Sequence, residues 1–322
     1  MDDKKLLQQI KKLSKKYLAT GQDIYSFLDG LLYSDYIGYW DYIHLDTLLS
    51  LQNPKTDFPD EKIFIIYHQI SELYFKLIIS ELEQISNNGK HVLDSGEDLG
   101  WHKKIKIDFF IERIKRIIRY FENLVNSFEI MINGMDKKEF LKFRMALLPG
   151  SGFQSVQFRL IEIYSTELKN LCPLKSNAKS NTDFLDNIYW QSGAKELKTK
   201  KKTYTLQQFN KKYHNLLLLK MSELKNKNIY KKFNSLKKND KKIQTLKNLL
   251  RKYDHIVNID WKLAHYKSAI KHLKNDNIKA TGGTNWQKYL PPKFQKIIFF
   301  PKLWSKKEIE NWGIHWVLEN YK

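Results

Sequence analysis

The sequence predicts an all-α protein built as a single helical domain, and three observations carry that expectation. Only 7 Pro and 13 Gly punctuate 322 residues, too few breaks for a sheet protein with many turns. Long segments free of both residues repeat their apolar positions at helical spacing. Hydrophobic residues make up 42% and aromatics 14%, enough to bury a large core, which excludes wholesale disorder.

Taken in order, the first residues, Met1-Asp2-Asp3-Lys4-Lys5-Leu6-Leu7, hold acids and no apolar run, which argues against a signal peptide. Glu61 to Ile85 lacks Pro and Gly, and Phe64, Tyr67, Ile70, Tyr74, Leu77, Ile78 and Ile85 recur with helical period. A second helix is expected over 105–132. A break at Gly134-Met135-Asp136 and a further helical stretch to Leu148 follow. Pro149-Gly150-Ser151-Gly152 stops that stretch, and Ser151 is placed to cap a helix from Phe153 to Leu171. Residues 173–203 are polar and read as a surface excursion, the start of a Lys-rich lobe over 173–240 within the one domain, 1–322. Helical patterns return at about 205–228 and 242–275. Ala280-Thr281-Gly282-Gly283-Thr284 forms a small-residue loop, and a last short helix is expected near Ser305 to Glu319. No internal repeat is found.

The formal charge of +21 invites a nucleic-acid partner. Yet of 56 basic residues only Arg113, Arg116, Arg119, Arg144, Arg159 and Arg251 are arginines, and nucleic-acid readers lean on Arg for bidentate contacts. The excess therefore reads as Lys on solvated helix faces, with no nucleic acid implied. One cysteine, Cys172, excludes an intrachain disulfide, and nothing implies an oxidising compartment. No stretch approaches 18 uninterrupted apolar residues, so no membrane span is expected. The compartment expected is the cytoplasm.

Walker, GxGxxG, HExxH and paired-Cys patterns are all absent. Two histidines and one arginine in apolar surroundings remain. His68 shares a helix face with Phe64, four residues before it; a partly buried imidazole bonded to a neighbour is the plainer alternative. His265 has Ala264, Ser268 and Ala269 within one turn. Small neighbours leave room for a flat group beside an axial imidazole, or simply let another helix approach. Arg144, between Phe143 and Met145, suggests a demand for planar bidentate geometry toward a carboxylate, either a ligand's or an internal one. Arg159 could pair with Glu162 or with a haem propionate.

In order, these segments resemble the tryptophan 2,3-dioxygenase family. The matching strings are Tyr39-Trp40-Asp41-Tyr42-Ile43-His44-Leu45-Asp46, His68-Gln69-Ile70-Ser71-Glu72-Leu73, Phe143-Arg144, Ser151-Gly152-Phe153-Gln154-Ser155-Val156-Gln157-Phe158-Arg159, the helix of His265, Thr281-Gly282-Gly283-Thr284 and Phe299-Phe300-Pro301-Lys302-Leu303-Trp304. The resemblance implies a helical fold with a haem pocket between helices. It also implies conversion of L-tryptophan and O2 to N-formyl-L-kynurenine, the first step of the kynurenine pathway. His265 would be the axial ligand of haem b (iron protoporphyrin IX), with Ser151 and Gly152 beside the cofactor. His68 would accept a hydrogen bond from the indole N–H without acting as a strong base. Phe64 would pack on the indole, Arg144 would clamp the carboxylate, and Thr281 would meet the ammonium and carboxylate. Tyr39 and Tyr42, in the N-terminal segment 1–50, would come from a neighbouring subunit of a homotetramer. Two positions depart from the family pattern: Phe140 stands where many relatives carry a carboxylate-binding Tyr, and Ala280 precedes Thr281 where a Gly is usual. A member redirected to a substituted tryptophan or to mono-oxygenation is the alternative among enzymes; outside them, it is a basic helical nucleic-acid-binding protein.

Overall fold

The computed structural model describes residues 3–92, 98–101, 104–148, 150, 152–173, 178–192, 194, 201–237, 241–273, 292 and 296–314. The chain divides into two compact units, Met1–Asn53 and Pro54–Lys322.

The first unit holds α1 (Asp3–Ala19), α2 (Ile24–Tyr33), α3 (Tyr39–Tyr42) and α4 (Leu45–Leu49). The Asp23 carboxylate caps α2 by accepting the Tyr25 and Ser26 N–H groups at 3.1 and 3.0 Å, which supplies two of the donors a helix start leaves unmet. Among its described residues only Ile24 is buried, while Leu31, Leu32, Tyr33, Tyr36, Trp40 and others stand exposed.

The second unit begins with α5 (Asp60–Ser86), followed by the antiparallel strands β1 (Lys90–Val92) and β2 (Asp98–Trp101) and then α6 (Ile107–Ser127). Phe110, Ile114, Ile117, Phe121 and Leu124 of α6 are fully buried and fall on one face at spacings of three and four, so the helix seats itself by its apolar stripe. The Glu81 carboxylate of α5 accepts from Arg113 at 3.0 Å and is 3.5 Å from Arg116, which fixes the two helices lengthwise. α5 is the helix, among the described residues, long and apolar enough to cross a membrane. The same test is passed by core helices, and α5 packs directly on α6 and α9.

The continuous helix expected over 105–132 breaks at Phe128. Its ring lies 5.6 Å from Tyr67, 5.3 Å from Trp261 and 4.5 Å from His265, and burial among these rings outweighs the local helical pattern. α7 (Glu129–Asn133) then ends at Gly134, where a β-carbon would come within 2.6 Å of the Ile130 carbonyl oxygen. α8 (Lys137–Phe143) passes into a 3₁₀ turn, Arg144–Leu147, and a second such turn covers Gly152–Gln154.

α9 (Val156–Ser165) starts later than the sequence suggested: Ser155, not Ser151, is its cap, with Oγ accepting from the Phe158 N–H at 3.2 Å. Ser151 itself lies outside the described residues. α10 (Asn181–Asn187) and α11 (Tyr189–Ser192) replace the surface excursion expected over 173–203. There Leu185, Ile188, Tyr189 and Trp190 are buried, and too few apolar residues spaced in a polar stretch hid this from periodicity. α12 (Tyr204–Leu224) packs on α9, and its Leu206, Phe209, Leu217 and Leu224 join the same core as α5 and α6.

α13 (Ile229–Asn234) and α14 (Ile243–His255) lead into a π-helical turn, Ile256–Asp260, and then α15 (Trp261–Leu273). A short α16 (Lys306–Glu310) is capped by Ser305 in a reciprocal capping box with Glu308. Buried Asp254 of α14 accepts from the Phe299 and Phe300 N–H groups, the Trp304 indole and the Asn258 amide, at 2.9 to 3.0 Å. That one carboxylate ties the irregular segment 297–304 to the π-turn. The Thr281 loop, including Ala280, lies outside the described residues.

Candidate functional site

His68 projects from α5 with Nδ1 2.7 Å from the Phe64 carbonyl oxygen. A carbonyl only accepts, so Nδ1 carries the proton and Nε2 keeps a free lone pair. The ring lies 4.0 Å from that of Phe64, tilted by 30°. Its surface is open to solvent, yet it is recessed in protein mass, and that desolvation holds its pKa below the ordinary histidine value. The plainer sequence reading, a ring bonded to a neighbour, is therefore present and leaves Nε2 available.

His265 repeats the arrangement on α15. Its Nδ1 is 2.8 Å from the Trp261 carbonyl oxygen, so Nε2 again has the free lone pair. Phe128 at 4.5 Å and Trp261 at 4.4 Å, edge to face, wall the ring. Burial, with a lesser contribution from His68, lowers its pKa to about 4. Two neutral imidazoles thus sit close enough to feel one another. Tyr67, 6.5 Å from His68 and 5.6 Å from Phe128, completes the partition between them. Sequence reasoning missed Tyr67, Phe128 and Trp261 as walls; their only signal was an aromatic one residue before His68 and another four before His265.

Phe64 meets Phe143 edge to face at 6.1 Å, which connects the His68 helix to α8. Phe143 is followed by Arg144, only 4% exposed and with its pKa lowered by burial. Phe140, one turn earlier, packs on Phe143 at 5.6 Å and on His272 at 5.0 Å; it brings no hydroxyl to this corner. Gly152 is exposed, and a β-carbon on it would meet nothing within 4 Å. Tyr39 and Tyr42 belong to the other unit and are 72% and 77% exposed. Thr281 and Ser151 lie outside the described residues.

The two most specific sequence strings are joined directly. Gln157 Nε2 donates to the Glu72 carbonyl and carboxylate oxygens, both at 2.8 Å, so the helix of His68 and α9 are registered by side chains from each string. Arg159 pairs with Glu162 at 3.2 Å and with the Tyr189 hydroxyl, also at 3.2 Å. Tyr189 in turn donates to Glu162. Lys262 Nζ lies 4.9 Å over the Tyr189 ring with no hydrogen-bond partner, and desolvation lowers its pKa to about 8.

These pairings bear on the nucleic-acid alternative. Arg113, Arg116, Arg159 and Arg251 engage carboxylates and Arg144 is buried, so five of the six arginines are committed within the fold or to its surface ion pairs, and Arg119 is exposed. Among the described residues no cluster of three His, Cys, Asp or Glu could hold a bare metal ion.

A sequence model of the family described as Tryptophan 2,3-dioxygenase matches residues 30–275. The chain is 38% identical over 130 residues to the tryptophan 2,3-dioxygenase of Ruegeria sp. (strain TM1040), covering 40% of this chain and 42% of that protein. It is 35% identical to the enzyme of that name from Pseudomonas fluorescens, covering 40% and 41%. To tryptophan 2,3-dioxygenase B of Danio rerio it is 37% identical, covering 38% and 30%. The alignments span less than half the length of each of these relatives.

Proposed function

The chain belongs to the tryptophan 2,3-dioxygenase family, and from that premise we propose that it is a haem-dependent enzyme converting L-tryptophan and O2 to N-formyl-L-kynurenine. The observation that carries the reading is the pair of neutral imidazoles, each tied at Nδ1 to its own helix and each leaving Nε2 free.

The residues present suit a haem. A neutral imidazole whose second nitrogen is bonded to a carbonyl is a suitable iron donor; His265 has that form and would hold the haem iron through Nε2. Ala264, Ser268 and Ala269 are the small residues within one turn of it on the same helix. The bound haem supplies activation of dioxygen and delivery of both its atoms across the indole C2–C3 bond. The chain's own residues bind and orient the substrate. His68 Nε2 accepts the indole N–H, which fixes the ring without removing its proton. Phe64 stacks against the indole, and Arg144 holds the carboxylate in a charge-assisted contact. The absence of a hydroxyl at Phe140 leaves that contact to Arg144, with Thr281 and its loop meeting the ammonium. The assembly we propose is a cytoplasmic homotetramer, in which the aromatic rings of Tyr39 and Tyr42 find cover on a neighbouring copy.

The test is aerobic turnover of L-tryptophan by purified, haem-reconstituted and reduced protein, with the product identified by mass. A gain of two oxygen atoms is expected. A Soret band without that product would move the reading to a substituted tryptophan or to mono-oxygenation. Failure both to take up haem and to form the product would overturn it.

A further inference from the structure

Helix α1 of the first unit separates its side chains by kind. At about 100° per residue, Leu6, Leu7, Ile10, Leu13, Tyr17 and Leu18 fall within one arc of about 140°. Lys4, Lys5, Lys11, Lys12, Lys15 and Lys16 fill the facing arc, and all six are exposed. Only Asp3, in the first turn, and Ser14 interrupt the apolar side. Gly21, with φ at +70°, ends the helix, and α2 returns with the Phe27 ring 4.7 Å from that of Tyr17. That packing half-buries Ile10 and Tyr17 but leaves Leu6, Leu7, Leu13 and Leu18 40 to 77% exposed. Leu7 and Leu18 lie on the edge of the arc that borders Lys4, Lys11 and Lys15. From α2, Leu31, Leu32 and Tyr33 add further exposed apolar surface. None of the residues assigned to haem or substrate falls on α1 or α2, and α1 lies wholly outside the span matched by the family, 30–275.

We infer that the α1–α2 hairpin docks on an anionic bilayer surface, with α1 lying in the plane of the interface. Leu7 and Leu18 would enter the acyl boundary, and the lysines beside them would stay at the headgroups, their stems running along the apolar edge. A long helix with lysines on one face, leucines on the other and little net hydrophobicity lies on a membrane rather than crossing it. The cytoplasmic leaflet supplies the opposite charge. Other occupants answer half of the pattern. A nucleic acid would meet the lysines and leave the leucines in water. A second copy would cover the leucines but bring the lysine border of one chain of charge +21 against another. Docking of this kind is independent of the reaction proposed for the chain.

Co-flotation of the full-length protein with extruded vesicles tests it. The chain should float with phosphatidylcholine vesicles containing about one-third phosphatidylserine and stay behind with phosphatidylcholine alone, and the bound fraction should fall as salt is raised. Lys11→Glu with Lys15→Glu should weaken binding about tenfold or more. Leu7→Ser with Leu18→Ser keeps every lysine and should weaken it by at least as much. Helical circular dichroism checks both variants. Should the hairpin unravel in them, Leu18→Cys carrying an environment-sensitive fluorophore decides: its emission should shift to the blue with the anionic vesicles, and an unmoved spectrum would overturn the docking. So would absence of flotation, or equal flotation with neutral vesicles. Binding that survives loss of the two leucines and is competed away by duplex DNA would overturn it in favour of a nucleic acid. A fall in mass of the leucine variant by light scattering, with no vesicle binding by the wild type, would give the face to a second copy.

Discussion

At the scale of single residues, protonation decides what His68 can do. It must be neutral to accept a hydrogen bond at Nε2, and desolvation holds its pKa below 6.5. The acid limb of kcat/KM for tryptophan is therefore expected below pH 6.5, and His68→Ala should lower turnover, without abolishing it, and remove that limb. A profile already falling at pH 7, or turnover at zero in the variant, would contradict the role. Arg144 poses a different problem, because its contact is made with the substrate before any chemistry. Arg144→Ala should lose about 1.5–3 kcal/mol of a charge-assisted hydrogen bond, seen as a KM raised roughly ten- to a hundredfold with kcat little changed. Lys262 gives a stability test with a defined sign. Its folded pKa of about 8 lies below the 10.5 of an unfolded lysine, so between those values the unfolded chain binds more protons and stability rises with pH. Relative to Lys262→Met, the wild type should gain up to roughly 3 kcal/mol from pH 8 to 10.5, at 1.36 kcal/mol per unit. Chemical denaturation at both pH values reads it, and parallel curves would show that Nζ is solvated.

At the scale of elements, the irregular segment 297–304 depends on one carboxylate. Asp254→Asn would turn an acceptor of four hydrogen bonds into a group with two donors of its own facing N–H groups. A loss of about 3 kcal/mol or more is expected, with increased amide exchange at Phe299 and Phe300; a variant as stable as the wild type would mean the segment is held elsewhere. Nothing in the sequence pointed to Asp254, because three of its four partners lie 45 to 50 positions away. What could be read was local. The apolar period marked α5 to within a residue at each end, and a helix was expected from near Ser305, where α16 starts, although α16 ends at Glu310. The π-turn, the break at Phe128 and the burial of 181–192 could not be read. The break and the burial involve packing between distant rings, and the π-turn is tied through Asp254 to Phe299, 45 residues on. The candidate site divides the same way. His68, Phe64, Arg144 and His265 stood out through their neighbours in sequence, whereas Tyr67, Phe128 and the Gln157–Glu72 link exist only once the helices meet.

At the scale of the whole molecule, the +21 charge sets two salt effects against each other. Screening weakens the surface ion pairs, such as Lys115–Glu112 and Lys202–Asp186, but each contributes only about 0–1 kcal/mol. Screening also relieves repulsion among the uncompensated lysines, which opposes compaction of one chain and opposes association of several still more. At 10 mM salt the Debye length is about 30 Å, comparable with a domain, so most lysines repel one another. At 150 mM it is about 8 Å, and only near neighbours do. With so large an excess the repulsion should win. Raising potassium chloride from 10 to 150 mM is expected to increase the melting temperature by a few degrees and to shift the mass distribution toward the larger assembly. Binding to random-sequence DNA would respond in the opposite sense, falling steeply over the same range. A melting temperature that drops with salt would mean the ion pairs outweigh the net charge. The lysine excess would then have to be read as organised into pairs rather than spread over solvated faces.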